Sequence, residues 1–304
     1  MDKIPYEELY QHPGTVRQRR NEQLNTIKGI IGGIDADRLI NEHEVRFVNQ
    51  WLDEHAKQAE QLFYADLAVS LNRAISDGVL SMTEKEEIVE HIDALQGDGF
   101  YDTITQHMQV FQGMLGGIAS DGRIEVAEVR SLREWMGDHV DLQRHWPFTE
   151  IDSLMTAALG DGRIDPEEHT QLLRWCGAFT DISSHKTVLG KGAGFGKALP
   201  GIAASAPAIT FDRASFCVTG TSARAKRSQI EEYIERLGGM IAGVSRKLDY
   251  LILCDAGSKC WAYACYGRKV EAVMENRQAG TATTLIIQEV DLWDALADNG
   301  IEHR

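Results

Sequence analysis

Four segments in the front half of the chain carry carboxylates at a spacing that could do chemistry. Two copies are intact, with aspartate-glycine followed by a hydrophobic residue and a glutamate, at 121–128 and 161–168. Such carboxylates can ligate a divalent cation or accept hydrogen bonds from the backbone at a helix start. A calcium loop of the EF-hand type needs oxygens at alternating positions and a distant bidentate glutamate, which no copy supplies. We therefore favour capping. The alternative is a cation site drawn from Asp121, Glu128, Asp161, Asp165 and Glu168.

These segments belong to an internal repeat with an offset of 84 residues. Residues 32–46 realign on 116–130, and Trp51 and His55 then fall on Trp135 and His139. Each aspartate-glycine turn follows an apolar helical pattern and precedes a new one that opens with a capping signature. The repeat predicts stacked helix-turn-helix hairpins in two units, about 21–100 and 105–182, within an all-α domain that spans 1–182.

The aspartate-glycine pattern, read as D-G-x-[IV]-x-x-x-E, resembles that of the tellurite-resistance TerB-like helical domains. The resemblance covers roughly residues 24–180 and implies a helical domain of the kind that the repeat predicts. A third copy at 77–84 has leucine at the branched position, and a fourth, at 37–44, has Arg38 in place of glycine.

Composition and charge restrict the function classes. The chain has 304 residues, 43% of them hydrophobic and 25% charged, and no apolar run approaches the ~18 residues of a membrane span. The amino terminus does not resemble a signal peptide, so we expect a cytoplasmic protein. Residues 1–207 contain 19 Lys and Arg against 33 Asp and Glu, whereas 208–304 contain 12 against 13. We therefore expect contact with DNA only through the back part, and a protein partner for the acidic front part.

A segment rich in glycine and alanine, 183–207, separates the two parts, and we interpret it as a linker. Its stretch Gly190–Lys197 differs from a phosphate loop, because Lys191 stands where the first glycine is required and Ala198 replaces the serine or threonine. The chain also carries no Ser-His-Asp, Cys-His or paired-carboxylate grouping with a supporting context, so we expect no enzyme.

The back part, 208–304, alternates strand and helix patterns in the order β-α-β-β-α-β-α, which predicts a small parallel sheet packed by helices. Three basic residues, Arg224, Lys226 and Arg227, precede its first helix, whose amino terminus favours a phosphate. Cys217 and Cys254 lie on predicted strands, and we interpret them as core residues.

The ordered features of this part resemble the BRCT family. They are Phe216-Cys217-Val218-Thr219-Gly220 on the first strand, Gly238-Gly239 after the first helix, Leu248-Asp249-Tyr250-Leu251-Ile252 on the third strand, and a Gly-x-Lys that enters the second helix. The resemblance covers about 90 residues and is greatest to bacterial modules attached to ligase-like and exonuclease-like repair proteins. It implies a phosphate site formed by Thr219, Gly220 and a lysine. Lys269 fits the family helix better than Lys259, which stays an alternative.

Together these resemblances imply a non-enzymatic binding or scaffold protein of bacterial DNA repair, the DNA-damage response or a related defence pathway. Its BRCT-like module would bind a DNA 5′-phosphate end, a phosphoprotein or another protein partner. One alternative is a cation- or stress-sensing helical protein whose BRCT-like part forms a homo-oligomer. Another is an accessory subunit of a nuclease or ligase. No cofactor is expected, apart from the divalent cation of the less favoured alternative.

Overall fold

The computed structural model describes residues 13–34, 40–56, 62–75, 79–96, 100–160, 162–178, 202–204, 206–254, 262–263 and 266–301. They belong to two compact units, which divide the chain at residues 194 and 195. Among the described residues, no helix combines the length and the apolar character that crossing a membrane requires. Asp161 and Lys259, both candidate site residues, lie outside the described residues.

In its described residues, the first unit consists of α-helices and one short 3₁₀ helix at Val140–Leu142. Helices α1 to α4 are equivalent to α5 to α8, because the second set follows the first at the offset of the sequence repeat. The helices are α1 Pro13–Ile34, α2 Glu42–Ala56, α3 Leu62–Ala74, α4 Met82–Gln96, α5 Thr103–Ile118, α6 Val126–Asp138, α7 Phe148–Ala158 and α8 Pro166–Ala178.

The equivalent helices α1 and α5 pack against each other with their backbones in contact. A Cβ atom on Gly29 would lie 2.0 Å from the carbonyl oxygen of Val110, and one on Gly113 would lie 2.2 Å from that of Thr26. Gly33 and Gly117 repeat this relationship one turn further on, with 2.4 Å in both directions. Because each residue faces its own equivalent over successive turns, the two helices run parallel, and the repeats are related by an approximate two-fold axis along them.

The four helices that open after the turns share one capping arrangement. In each, the glutamate at the third helical position accepts a hydrogen bond from the backbone N–H of the residue before the helix. The pairs are Asn41–Glu44 at 2.7 Å, Ser81–Glu84 at 3.0 Å, Glu125–Glu128 at 2.7 Å and Asp165–Glu168 at 2.9 Å. The turn glycines Gly122 and Gly162 have φ of 79° and 76°. The predicted caps are confirmed.

The second unit is a parallel sheet with helices. Its elements follow the predicted order: β1 Ser215–Thr219, α9 Arg227–Arg236, β2 Met240–Ile241, β3 Tyr250–Leu253, α10 Arg268–Gln278, β4 Leu285–Gln288 and α11 Glu289–Asp298. The strands lie in the order β2-β1-β3-β4, and every pairing is parallel. The core of this unit includes Phe216, Ile252 and Leu292, which are fully buried, and the buried thiol of Cys254. A helical region followed by a small α/β unit is therefore confirmed.

This unit begins earlier than the sequence analysis places it. Ala203 forms a parallel bridge with Ile286 of β4, and the Ala204 N–H donates to the Ile286 carbonyl oxygen at 2.8 Å. Ile202 is 1% exposed, and its carbonyl oxygen accepts from Arg277. Residues 202–204 fall in the predicted linker because small residues dominate there, but they pair with β4 at the edge of the sheet.

Candidate phosphate-binding site

The strand order places a crevice at the carboxyl ends of β1 and β3. From β1 the chain passes through α9 to β2 on one side, and from β3 it passes through α10 to β4 on the other. In open parallel sheets, a gap lies between two adjacent strands whose crossovers lead to opposite sides, and ligands commonly bind there. The amino termini of α9 and α10 lie at the same edge, because crossover helices run antiparallel to the strands. Their backbone N–H groups make this edge favourable for an anion.

Thr219 and Gly220 lie at this edge. Thr219 ends β1 and is 4% exposed, and its carbonyl oxygen accepts from the Cys254 N–H at 2.9 Å. Gly220 follows with φ of 85°. Within the described part of the chain, the Thr219 hydroxyl and the Gly220 N–H make no hydrogen bond. Two adjacent donors are therefore available to a ligand that enters the crevice.

Lys269 reaches the same point from the other crossover. It is the second residue of α10, is half-buried, and donates from Nζ to the Val218 carbonyl oxygen over 2.9 Å. Val218 immediately precedes Thr219, so this hydrogen bond anchors the ammonium group beside the end of β1. An ammonium group has three hydrogens, and the Val218 carbonyl takes one of them. A hydroxyl, a backbone amide and a cation thus lie at the end of β1, and together they form a donor set suited to a phosphate.

The three basic residues before α9 do not share one position. Arg227 folds back, and its Nη2 donates to the Gly220 carbonyl oxygen at 2.9 Å, so it supports the chain at the site. Arg224 and Lys226 are exposed on the loop between β1 and α9. The structure therefore brings Thr219, Gly220, Lys269 and Arg227 together, with the other two cations on the adjoining loop.

Sequence reasoning missed two polar residues at this loop, Ser222 within it and Glu289 beside it. Glu289, the first residue of α11, is 1% exposed and accepts a hydrogen bond from the Ser222 hydroxyl. It also accepts from Nε1 of Trp293 at 2.8 Å, which gives the N–H of this buried indole a hydrogen-bond partner. A signal was present, since Glu289 lies two residues after the predicted strand 285–287 and the carboxyl ends of parallel strands share one edge.

In the helical unit, the candidate cation ligands of the less favoured alternative are engaged by the backbone and by other side chains. Asp121 accepts from the Arg123 N–H at 2.8 Å and from Nδ2 of Asn41 at 3.0 Å. Asp165 accepts from the Glu168 N–H at 2.9 Å, and Glu168 accepts from the Asp165 N–H in return. The bonds of Asp165 and Glu168 are the ones that capping requires, whereas those of Asp121 close the turn before α6 and join it to the first repeat. Both sets favour a structural role over a cation site.

Glu128, like the capping glutamate Glu44 of the first repeat, is buried: the two are 8% and 4% exposed. Burial raises the pKa of the Glu128 carboxyl to about 8, against the lowering effect of its hydrogen bond from the Glu125 backbone, and the charges of Asp121 and Glu44 raise it further. The Cys176 thiol lies in the same interior, and burial raises its pKa to about 12. A thiol with this pKa stays protonated and is a poor nucleophile.

No known family model matches the chain, and no curated protein is significantly similar to it.

Proposed function

We propose that the α/β unit is a BRCT-like binding module that holds a terminal phosphate group of a DNA end in bacterial DNA repair or the response to DNA damage. The observation that carries this proposal is the hydrogen bond from Lys269 Nζ to the Val218 carbonyl oxygen. It supports the proposal because the cation is held next to the end of β1, where Thr219 and Gly220 have available donors, between the two crossovers of the sheet. The proposed role is binding, because Thr219, Gly220 and Lys269 all supply donors suited to an anion.

The burial of the site favours a terminal phosphate over a phosphate within a continuous backbone. Thr219 is 4% exposed and Gly220 is buried, so a ligand must insert its phosphate to reach them. A terminal phosphate can do so, whereas a backbone phosphate carries a nucleotide on each side. The protein also has a net charge of −15, which opposes binding along the length of a duplex.

The test compares two duplexes of identical sequence, one with and one without a 5′-phosphate, in binding to the full chain. The Lys269→Ala and Thr219→Val variants should bind the phosphorylated duplex about tenfold or more weakly, since each loses a hydrogen bond to a charged group. Binding to the unphosphorylated duplex should not change.

Lys247→Ala is the matched control. It removes the same charge from an exposed position in the turn before β3. This turn lies at the amino-terminal ends of the strands, opposite the proposed site. The variant should retain the preference for the phosphorylated duplex. If wild-type protein binds both duplexes equally, the proposed site is wrong. A preference for a phosphorylated peptide but not for a phosphorylated duplex would retain the site and replace the DNA end with a phosphoprotein.

A further inference from the structure

The carboxylate of Glu289 lies buried behind the loop that follows β1. Its Oε1 atom accepts from both the Ser222 hydroxyl and the Trp293 indole N–H. A buried carboxylate is unfavourable unless hydrogen bonds compensate for its lost hydration, and these two donors do so. The contact between Glu289 and Ser222 joins segments that are 67 residues apart in the chain.

Ser222 carries this contact into the backbone of the loop. Its hydroxyl oxygen accepts from the Arg224 N–H at 2.9 Å and from the Ala225 N–H at 3.1 Å. The same hydroxyl therefore donates to Glu289 and closes a turn between Gly220 and α9. Arg227 holds the other side of this loop through the Gly220 carbonyl oxygen.

We propose that Ser222 and Glu289 are positioning residues of the phosphate site, an inference that rests on the proposed function. They fix the path of the chain immediately after Gly220, and so fix the direction of its N–H. A donor that is already oriented loses less conformational entropy when a ligand binds. Without the two residues, the loop samples other conformations, and part of the binding free energy is spent on ordering it.

Two pairs of variants separate the hydrogen bonds from the charge and from the size of the side chain. Glu289→Gln keeps an acceptor oxygen for both donors and removes the negative charge, whereas Glu289→Ala removes the acceptor. Ser222→Thr keeps the hydroxyl, whereas Ser222→Ala removes it. The positioning role predicts that the Gln and Thr variants retain the phosphate preference and that both Ala variants lose most of it.

The first measurement follows amide hydrogen exchange at Arg224 and Ala225 in the full chain without ligand. In Ser222→Ala and Glu289→Ala these amides should exchange about tenfold faster than in wild type. Ser222→Ala removes the hydroxyl that accepts from both amides, and Glu289→Ala removes the carboxylate that holds this hydroxyl in place. Ser245→Ala is the control, because the Ser245 hydroxyl accepts from the Lys247 N–H in a turn at the opposite sheet edge. It should leave the exchange of the two amides unchanged.

The second measurement is the affinity ratio for the phosphorylated and unphosphorylated duplexes. The two Ala variants should reduce this ratio about tenfold, and the Gln and Thr variants should keep it within about twofold of wild type. Wild-type exchange rates or a wild-type ratio in the two Ala variants would overturn the positioning role and leave the phosphate site intact. A wild-type protein with a ratio of one would instead overturn the proposed function, and the positioning role with it.

Discussion

The Nδ2 atom of Asn25 donates to the Oε1 atom of Gln109 over 2.7 Å, and these two buried residues occupy the same position in the two helical repeats. The 84 residues between them equal the offset of the repeat. Gly29 and Gly113 meet in the same way one turn further along. The duplicated sequence therefore folds as two equivalent halves that face each other along α1 and α5. An isologous interface of this kind is normally found between the subunits of a homodimer.

Substitution of a glycine between α1 and α5 should destabilise the helical unit. A Cβ atom on Gly113 would lie 2.2 Å from the Thr26 carbonyl oxygen, and backbone cannot move aside as a flexible side chain does. Gly113→Ala should lower the free energy of unfolding by about 3 kcal/mol, measured by denaturant titration. Gly137→Ala is the control, since nothing lies within 4 Å of its Cβ position in α6. It should be neutral or stabilising by up to about 1 kcal/mol. Similar losses in both variants would contradict the close helix contact.

The stability of the helical unit should fall as the pH rises from about 4.5 to about 8. The pKa of Glu128 is raised from 4.5 to about 8 in the folded protein, mainly by burial. Between these values the unfolded chain releases a proton that the folded protein keeps, so rising pH favours unfolding. Glu128 alone would contribute a slope of about 1 kcal/mol per pH unit across this range.

Glu128→Gln should remove this slope, because its amide does not ionise and still accepts from the Glu125 N–H. At pH 9 the variant should be more stable than wild type, with little difference near pH 4. Glu84 provides the contrast, since it occupies the same capping position and its hydrogen bonds from Ser81 lower its pKa. Glu84→Gln should leave the slope above pH 5 in place. Denaturant titrations at a series of pH values measure both, and an unchanged slope in Glu128→Gln would contradict the assignment.

Loss of a helix cap should reduce stability independently of divalent cations. Asp165 accepts from the Glu167 and Glu168 N–H groups at 2.8 and 2.9 Å, and the first turn of α8 depends on this. Asp165→Ala should cost about 1 kcal/mol through the lost cap, and Asp121→Ala a similar amount through the lost turn hydrogen bond from the Arg123 N–H, with and without calcium. Thermal unfolding with added calcium or with a chelator tests this. If calcium raised the Tm of wild type but not of the variants, a cation site would replace the capping interpretation.

Ile202 should contribute to the stability of the α/β unit, although it lies in a segment that the sequence assigns to the linker. Its side chain is 1% exposed beside the β4 edge. Ile202→Ala should lower the free energy of unfolding of this unit by about 2–4 kcal/mol. Val290→Ala, at a position that is 38% exposed, should change it by less than about 1 kcal/mol. Tryptophan fluorescence during denaturation, through Trp293 in this unit, is one suitable measurement. Equal effects of the two substitutions would place Ile202 outside the folded unit.

The sequence by itself determined the features that depend on neighbouring residues. The capping pairs such as Ser81 and Glu84 lie three positions apart, and the turn at Gly122 needs only a residue that tolerates a positive φ. The order of strands and helices in the α/β unit follows from local periodicity, and the crossover helices α9 and α10 account for the parallel pairing of β1 with β2 and of β3 with β4. The 84-residue repeat indicated equivalent halves, but it did not indicate that they face each other.

Only the tertiary structure decided which distant residues meet. Lys269 reaches Val218 across 51 residues, and Ser222 reaches Glu289 across 67, because the sheet aligns the ends of its strands at one edge. Burial raises the pKa of Glu128 and hydrogen bonds lower that of Glu84, although both occupy the same motif position. Burial and long-range contact depend on how whole elements pack, and local sequence patterns do not encode that packing.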